Sequence, residues 1–392
     1  MQERIRQLAE KYFDEVVQLR RTIHANPELA FEEHETGKLV AATLEKSGVS
    51  VKTGVAKTGI IGSLKGKGNG KVVALRSDMD ALPIHEATGL PFASKNQGKM
   101  HACGHDAHTA IGLGAAMILS ELKDELNGEV RFLFQPSEER NPGGAPFMIE
   151  DGALDGVDEI YGLHVIAQHD AGTLGFCEGE MMASADELYI TIKGRSGHGA
   201  RPHFAIDPIV TGAQVILGLQ TLVSRNLDPF HQGVITIGSI HGGFAPNIIP
   251  EDVKLVGTLR SMTKEWRDYA HKRVKEITEG ICAAAGATCD VLIDKGYPVL
   301  RNEPMKTFFA EECARELFGN DRVFKAERLM GAEDFAYYLE KVPGTFYRLG
   351  IRNLKQGITA DIHNDHFTID ENALKTGIAM QAYLAVKALE QK

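Results

Sequence analysis

The residues best able to do chemistry gather in one short stretch of the chain. It holds three histidines, one cysteine and one aspartate, namely His101, Cys103, His105, Asp106 and His108. Cys103 and His105 alternate, so both side chains point to one side if the segment is extended. A thiolate and an imidazole together suit zinc or a neighbouring transition metal. A cysteine nucleophile with a histidine base is a second interpretation. Taken singly, His101 and His108 are more simply explained by hydrogen bonds to nearby backbone carbonyls.

Further candidates follow predicted strands. Asp80 lies just after one apolar strand, Glu138 and Glu139 follow a second, and His164 ends a third. Ligands of open α/β sheets bind outside the carboxyl ends of the strands. The side chains of adjacent glutamates diverge, so one can ligate a metal while the other handles the proton of a metal-bound water. His363, after a long loop, is a further candidate ligand.

The composition limits the class of protein. The chain has 392 residues, of which 43% are hydrophobic, and 43 Lys and Arg against 53 Asp and Glu leave a net charge of −10. These values favour a globular protein and argue against a disordered chain or a dedicated nucleic-acid binder. Five scattered cysteines do not form a disulfide framework. The charged N-terminus and the lack of long apolar runs predict a cytoplasmic location without membrane contact.

The elements that position these residues alternate between helix and strand. Helices are predicted over 5–23, 33–46 and 106–122, with strands over 130–134 and 159–163. Residues 59–64 and 71–76 flank a glycine-rich turn and predict a β-hairpin. The pattern predicts an α/β fold with a mixed, mostly parallel sheet and helices on both faces.

A smaller domain is predicted inside the larger one. From residue 186 the order becomes strand, helix, strand, strand, helix, strand, which is typical of a ferredoxin-like α+β sandwich. After residue 298 the alternation of helix and strand resumes. We therefore expect a catalytic domain over 1–185 and 299–392, interrupted by an inserted lid or dimerisation domain over 186–298.

The motifs, taken in order, resemble those of the co-catalytic metallopeptidase family of aminoacylases, hippurate hydrolases and auxin-conjugate amidohydrolases. The resemblance is closest to the branch that has cysteine in place of a bridging aspartate, and it extends over nearly the whole chain. The strings that carry it are RSDMDALP (76–83), MHACGHDAH (100–108), QPSEE (135–139), GLHV (162–165), SGHGARPH (196–203), APNIIPE (245–251), GTLRS (257–261), GAEDFA (331–336) and IHND (362–365).

The resemblance implies two divalent metal ions per subunit, zinc, manganese, cobalt or nickel. Cys103 matches the bridging ligand, and the remaining ligands match His105, Glu139, His164 and His363. Glu138 matches the general base, and Asp80 matches the carboxylate that orients the site. The implied reaction is hydrolysis of the amide bond of an N-acyl-L-amino acid by a metal-bound hydroxide.

The resemblance also assigns residues of the inserted domain. His198 matches a histidine that stabilises the tetrahedral intermediate. Asn247 and Arg260 match residues that bind the α-carboxylate of a small-molecule substrate, for which a planar guanidinium is well suited. A homodimer through the inserted domain is implied.

Three other functions stay open. A metallo-carboxypeptidase or dipeptidase would use the same scaffold with a different acyl pocket. A cysteine hydrolase would use Cys103 as its nucleophile. A metal-binding or sensor protein would keep the fold without catalysis, although such a site needs ligands and no base, and Glu138 beside Glu139 favours an enzyme.

Overall fold

The computed structural model describes residues 1–391, and the chain divides into two compact units. The first unit comprises Met1–Gly179, Arg301–Glu327 and Asp334–Lys392, and the second comprises Glu180–Leu300 and Arg328–Glu333. Within residues 1–391, no helix combines the length and the apolar character needed to cross a membrane. The domain limits and the lid role predicted for the inserted segment stay a prediction.

Helices and strands alternate through most of the chain. The helices are α1 (Gln2–His24), α2 (His34–Lys46), α3 (His105–Glu121), α4 (Ala145–Glu150), α5 (Pro208–Thr221), α6 (Lys264–Ala284), α7 (Pro304–Phe318), α8 (Ala336–Leu339) and α9 (Asn372–Glu390). The strands are β1 (Ser50–Val55), β2 (Gly59–Lys65), β3 (Lys67–Asp78), β4 (Asn127–Gln135), β5 (Glu159–Asp170), β6 (Leu174–Phe176), β7 (Gly179–Met182), β8 (Ser184–Lys193), β9 (Gly197–His198), β10 (Gly233–His241), β11 (Ile248–Ile249), β12 (Asp252–Ser261), β13 (Thr288–Lys295), β14 (Leu300–Asn302), β15 (Val323–Lys325) and β16 (Gly344–Arg352).

An eight-stranded sheet forms the centre of the first unit. Its strand order is β1-β2-β4-β3-β5-β16-β6-β15. The neighbours β4, β3, β5 and β16 run parallel, so their carboxyl ends meet at one edge. β1 with β2, β2 with β4, and β16 with β6 are antiparallel. The predicted α/β class with a mixed, mostly parallel sheet is confirmed.

The hairpin predicted for residues 59–64 and 71–76 is wrong. Both segments are strands, β2 and β3, but β4 lies between them. β2 pairs antiparallel with β4, and β3 pairs parallel with β4. Gly66, between β2 and β3, and Gly70, within β3, serve close backbone approach instead of a tight turn, since a Cβ on Gly70 would lie 2.1 Å from the carbonyl oxygen of Asn127.

Helix α3 carries the densest motif into the core. Every residue from His105 to Leu119 is buried, and the helix packs against α1, α9 and β3. α1 is amphipathic, with Ile5, Val16 and Ile23 buried, as the spacing of its apolar residues predicts. Because α3 is covered on all sides, its first turn is held rigidly beside the sheet.

The second unit contains a four-stranded antiparallel sheet of order β10-β12-β8-β13. In chain order its main elements are β8, α5, β10, β12, α6 and β13. α5 and α6 pack against the sheet and each other over a core that includes Ile190, Leu255 and Val274. A separate two-stranded ribbon joins β9 to β11.

Candidate metal centre

The five ligands predicted from the sequence come from separate elements of the first unit. Cys103 lies just before α3, and His105 is the first residue of that helix. Glu139 lies in the loop after β4, His164 lies within β5, and His363 lies between β16 and α9.

Two groups of potential ligands share Cys103. The first is Cys103, His105 and His164, and the second is Cys103, Glu139 and His363. Within each group the ligand atoms lie within 4.8 Å of one another. Cys103 Sγ is 3.3 Å from His164 Nε2, and His363 Nε2 is 3.2 Å from Glu139 Oε1. A sulfur common to both groups is the arrangement that a bridging thiolate requires.

Hydrogen bonds fix the two buried histidines in the tautomer that a metal needs. His164 Nδ1 donates to the carbonyl oxygen of Val165 over 2.7 Å. His105 Nδ1 donates to Asp80 Oδ1 over 3.2 Å. In the neutral form of each ring Nε2 therefore carries the lone pair that a metal would bind, and a carboxylate behind a ligand histidine also raises the basicity of the ring. His105 Nε2 is buried without a hydrogen-bond partner among the described residues, which fits a metal ligand.

The other two histidines of the motif do not act in the same way. The backbone N–H of Val165 donates to His108 Nε2 over 3.0 Å, so Nδ1 carries the hydrogen and donates to Asp78 Oδ1 over 2.6 Å. Both nitrogens of His108 are thus used. The explanation of His101 by a local backbone bond is wrong, because it is buried and neither ring nitrogen has a hydrogen-bond partner within residues 1–391. Burial lowers the pKa of His101 to about 4, so the ring stays neutral.

Asp80 holds the loop that carries the two glutamates. Its Oδ1 accepts the N–H of Glu138 over 2.9 Å, and its Oδ2 accepts the N–H of Glu139 over 3.0 Å. The carboxylate of Glu138 is nearly buried, and its Oε2 lies 4.0 Å from His105 Nε2. Asp80 therefore connects the predicted base, Glu138, and two predicted ligands, Glu139 and His105, through a single carboxylate.

The charges around this centre favour a cation. Burial, followed by Glu139 and Glu138, raises the pKa of the Cys103 thiol well above its ordinary value. Burial alone would lower the pKa of His105, but Asp78, Asp80 and Glu139 raise it to about 10. Negative charge contributes to both shifts, second to burial at Cys103 and against burial at His105, so divalent ions would offset it and would favour the Cys103 thiolate. The residues present therefore fit a metal centre.

A left-handed glycine allows Cys103 and His105 to flank the same point. Gly104 has φ +86°, and a Cβ there would lie 2.5 Å from Val165 Cγ2. His363, which is not a glycine, also has a left-handed backbone, with φ +62°. Its N–H donates to the carbonyl oxygen of Ala102 over 2.7 Å, which connects the two distant ligand segments.

A buried network of hydrogen bonds around Arg76 connects the ends of β3 and β4. The guanidinium of Arg76 donates to Asp78, to Gln135 Oε1 over 2.9 Å and to Asp334 Oδ1 over 2.8 Å. Asp334 also accepts the backbone N–H of Ala145. The GAEDFA motif thus contributes a structural carboxylate in Asp334.

Sequence reasoning missed Glu33. Its carboxyl group is fully buried and accepts the N–H of Ser137, the residue before Glu138. In the sequence Glu33 is one of several acidic residues near the start of a helix, where acidic residues are common for dipole reasons alone. No spacing signal distinguishes it from Glu32 or Glu35.

The remaining predicted site residues belong to the second unit. His198 and Asn247 are brought together by the β9–β11 ribbon, in which Gly199 N–H donates to the carbonyl oxygen of Asn247 over 2.8 Å. Arg260 lies on another sheet of the same unit, on β12, and is half-buried. Its guanidinium makes no hydrogen bond or ion pair with a residue that the structure describes.

Comparison with known proteins places these features in a family. Residues 74–387 match the model of peptidase family M20/M25/M40. The chain is 42% identical over 377 residues to thermostable carboxypeptidase 2 of Saccharolobus solfataricus, covering 95% of both chains. It is 41% identical over 360 residues to N-acetyl-L-cysteine deacetylase of Bacillus subtilis, covering 92% of this chain and 85% of the relative.

A solved structure agrees with both the motifs and the fold. The crystal structure of a dinuclear metal-binding M20 peptidase from Bacillus subtilis superposes with a TM-score of 0.86 at 38% identity. The match covers 98% of this chain and 100% of the other. The family resemblance predicted from the motifs is confirmed: this chain belongs to peptidase family M20/M25/M40 and is a metal-dependent peptidase or amidohydrolase.

Proposed function

We propose that the protein hydrolyses the amide bond of N-acyl-L-amino acids with two divalent metal ions. The observation that carries the proposal is the pair of ligand groups that share Cys103, with Glu138 beside them. In this assignment Cys103 would be shared by the two ions, His105 and His164 would help to hold one, and Glu139 and His363 would help to hold the other. Zinc, manganese, cobalt and nickel all suit this mixture of sulfur, nitrogen and oxygen ligands.

Each residue near the ions has a separate task. Bound cations lower the pKa of a water and stabilise the negative charge that develops on an amide oxygen. Glu138 accepts the proton of the attacking water and returns it to the leaving amine. Asp80 keeps Glu138 and His105 in position through its three hydrogen bonds.

The second unit supplies the groups for substrate recognition. Arg260 is partly buried with no described partner for its guanidinium, which suits a residue that receives the α-carboxylate from outside the chain. Arg267, by contrast, is already occupied by a bidentate pair with Asp186. His198 Nδ1 accepts the N–H of Ala200, so Nε2 carries the hydrogen and can donate to a tetrahedral intermediate. Asn247, next to His198, is assigned to the carboxylate as well.

A homodimer through the second unit forms part of the proposal. β10 is an edge strand of the four-stranded sheet, and an edge strand offers unpaired backbone groups to another chain. Leu217 on α5 is 71% exposed, and Val210 and Ile240 are also exposed. Apolar side chains beside a free strand edge support self-association.

The five free cysteines support the proposed cytoplasmic location.

A carboxypeptidase activity is the second candidate, because one relative carries that name at 42% identity. Both reactions cleave an amide whose amine side bears a free α-carboxylate. A panel of N-acetyl- and N-benzoyl-L-amino acids, dipeptides and longer peptides, assayed with each metal, separates them. We expect the largest kcat/KM for an N-acyl-L-amino acid. A larger value for peptides would replace the proposal by a carboxypeptidase. Tight binding of two metals without hydrolysis of any compound would leave only a metal-binding function.

A further inference from the structure

Glu33 is a buried acid of the first unit with an unusual set of partners. Its side chain is 0% exposed, and it forms no ion pair within residues 1–391. Oε1 accepts the N–H of Phe31 over 3.0 Å and the N–H of Ser137 over 2.9 Å. Oε2 accepts the hydroxyl of Thr58 over 2.5 Å. Burying a carboxyl group costs free energy unless hydrogen bonds compensate for the lost water. One of the compensating bonds, that from Ser137, comes from far outside the start of α2, which points to a role of Glu33 at that loop.

Both backbone donors belong to residues in the left-handed region. Phe31 has φ +63° and Ser137 has φ +55°, although neither is a glycine. A residue with a Cβ adopts this conformation at a cost, and it does so where surrounding contacts hold it. Glu33 Oε1 bonds to both of these N–H groups, so one oxygen holds two unfavourable backbone conformations.

Ser137 directly precedes the two glutamates of the centre. Three consecutive N–H groups, those of Ser137, Glu138 and Glu139, face two carboxylates. Glu33 accepts the N–H of Ser137, and Asp80 accepts those of Glu138 and Glu139. The hydroxyl of Ser137 has no hydrogen-bond partner among the described residues, so its backbone N–H is the polar group that Glu33 holds. The direction in which the Glu138 side chain leaves the loop therefore depends on the conformation at Ser137.

We propose that Glu33 is a positioning residue that keeps Glu138 aimed at the metal centre by holding Ser137 in its left-handed conformation. The inference rests on the proposed function, in which Glu138 is the base. It adds Glu33, which lies 104 positions before Ser137 at the start of α2, to the residues that set the geometry of proton transfer. Asp80 remains in place without Glu33, so the ligand Glu139 keeps its own backbone bond.

Three variants of Glu33 test the inference by activity. Glu33→Ala removes the acceptor, and we expect kcat to fall on the order of a hundredfold with little change in KM or bound metal, because the base is misplaced and the ligands are not. Glu33→Gln keeps an oxygen for both N–H groups and an amide for Thr58, so most of kcat should return. Glu33→Asp keeps the charge but shortens the side chain, and serves if the alanine variant does not fold.

A matched control separates positioning from general loss of stability. Glu28 also accepts two backbone N–H groups at the start of α2, those of Glu35 and Thr36. Glu28→Ala should leave kcat unchanged. An equal fall of kcat in Glu28→Ala and Glu33→Ala would overturn the inference.

Hydrogen exchange measures the loop without relying on turnover. In metal-free protein, the amides of Ser137 and Glu138 should exchange faster in Glu33→Ala than in wild type, the amide of Glu139 should change little, and Glu33→Gln should restore the protection of the first two. Unchanged exchange in the alanine variant overturns the inference, and so does faster exchange with unaltered kcat. If wild type hydrolyses none of the compounds, the proposed function fails, while the exchange result still decides whether Glu33 holds the loop.

Discussion

The carboxylate of Asp80 accepts the backbone N–H of Glu138 over 2.9 Å and the ring Nδ1–H of His105 over 3.2 Å. One side chain thus holds the loop of the proposed base, Glu138, and the tautomer of the proposed ligand, His105, at the same time. A defect at Asp80 should therefore appear in both metal binding and turnover.

Asp80→Asn should test this coupling. The amide has one good acceptor where three N–H groups converge, so at least one buried donor loses its partner, at a cost of about 1–3 kcal/mol. We expect metal affinity or kcat to fall by about 10–100-fold, as for other residues behind a metal ligand. Metal titration and steady-state kinetics measure both, and Asp124→Asn, at an exposed position, is the control. Normal values for both would contradict the assigned role.

Glu138→Gln should separate catalysis from metal binding. Gln has nearly the same shape but cannot accept the proton of water, so kcat should fall by about 10²–10⁴-fold while two metals stay bound. Elemental analysis and kcat are the measurements, and Glu150→Gln, at an exposed position on α4, is the control. Unaltered turnover in Glu138→Gln would remove Glu138 from the role of base.

Removal of metal distinguishes the two interpretations of Cys103, as a metal ligand and as a nucleophile. If Cys103 is a metal ligand, a chelator should abolish hydrolysis and added divalent metal should restore it. Cys103→Ala should bind fewer than two metals per subunit, whereas Cys313→Ala, which removes a buried thiol of α7, should still bind two. Activity that persists in fully metal-free protein would favour a cysteine nucleophile instead.

Arg260→Ala should affect substrates with a free α-carboxylate. The loss of a charge-assisted bond costs about 1.5–3 kcal/mol, so KM should rise by about 10–100-fold for N-acyl-amino acids. KM for the corresponding amide, which lacks the carboxylate, should be the same in both proteins. Lys254→Ala, on the same strand, is the control. An equal effect on both substrates would argue against carboxylate recognition by Arg260.

Stability should depend on pH through Glu33. Burial, assisted by the charge of Asp80, raises the pKa of Glu33 from its ordinary 4.5 to about 7. The folded protein therefore binds a proton that the unfolded chain releases between these values, and this contribution to stability is present at low pH and lost as the pH rises to 7. The loss amounts to about 3 kcal/mol.

Glu33→Gln, which is neutral at every pH, should lack this loss. Its Tm relative to wild type should increase by several degrees between pH 4.5 and 8, measured on metal-free protein. A constant difference in Tm across this range would show that Glu33 titrates near its ordinary value.

The sequence predicts local features of the site well and distant ones poorly. Cys103 and His105 are separated by a glycine, so their common direction follows from a few dihedral angles. The element pattern also predicts α3, the strand that precedes Glu138 and the strand that holds His164, although β5 continues past His164 to Asp170 instead of ending there. By contrast, nothing near residues 59–76 reveals that β4 lies between β2 and β3, because that order depends on residues about 60 positions later. Glu33 is missed for the same reason, since its role depends on Ser137.

The position of β16 has a consequence for how the protein is made. β5 and β6 are separated by only a short turn in sequence, yet β16 lies between them in the sheet. The sheet therefore stays open until nearly the whole chain has left the ribosome. His363 follows β16, so the nascent chain contains four of the proposed thiol, imidazole and carboxylate ligands well before the fifth is made. Completion of the sheet and capture of the full metal pair are thus one late event, and a chain that stalls before β16 would present an incomplete chelate to the cell.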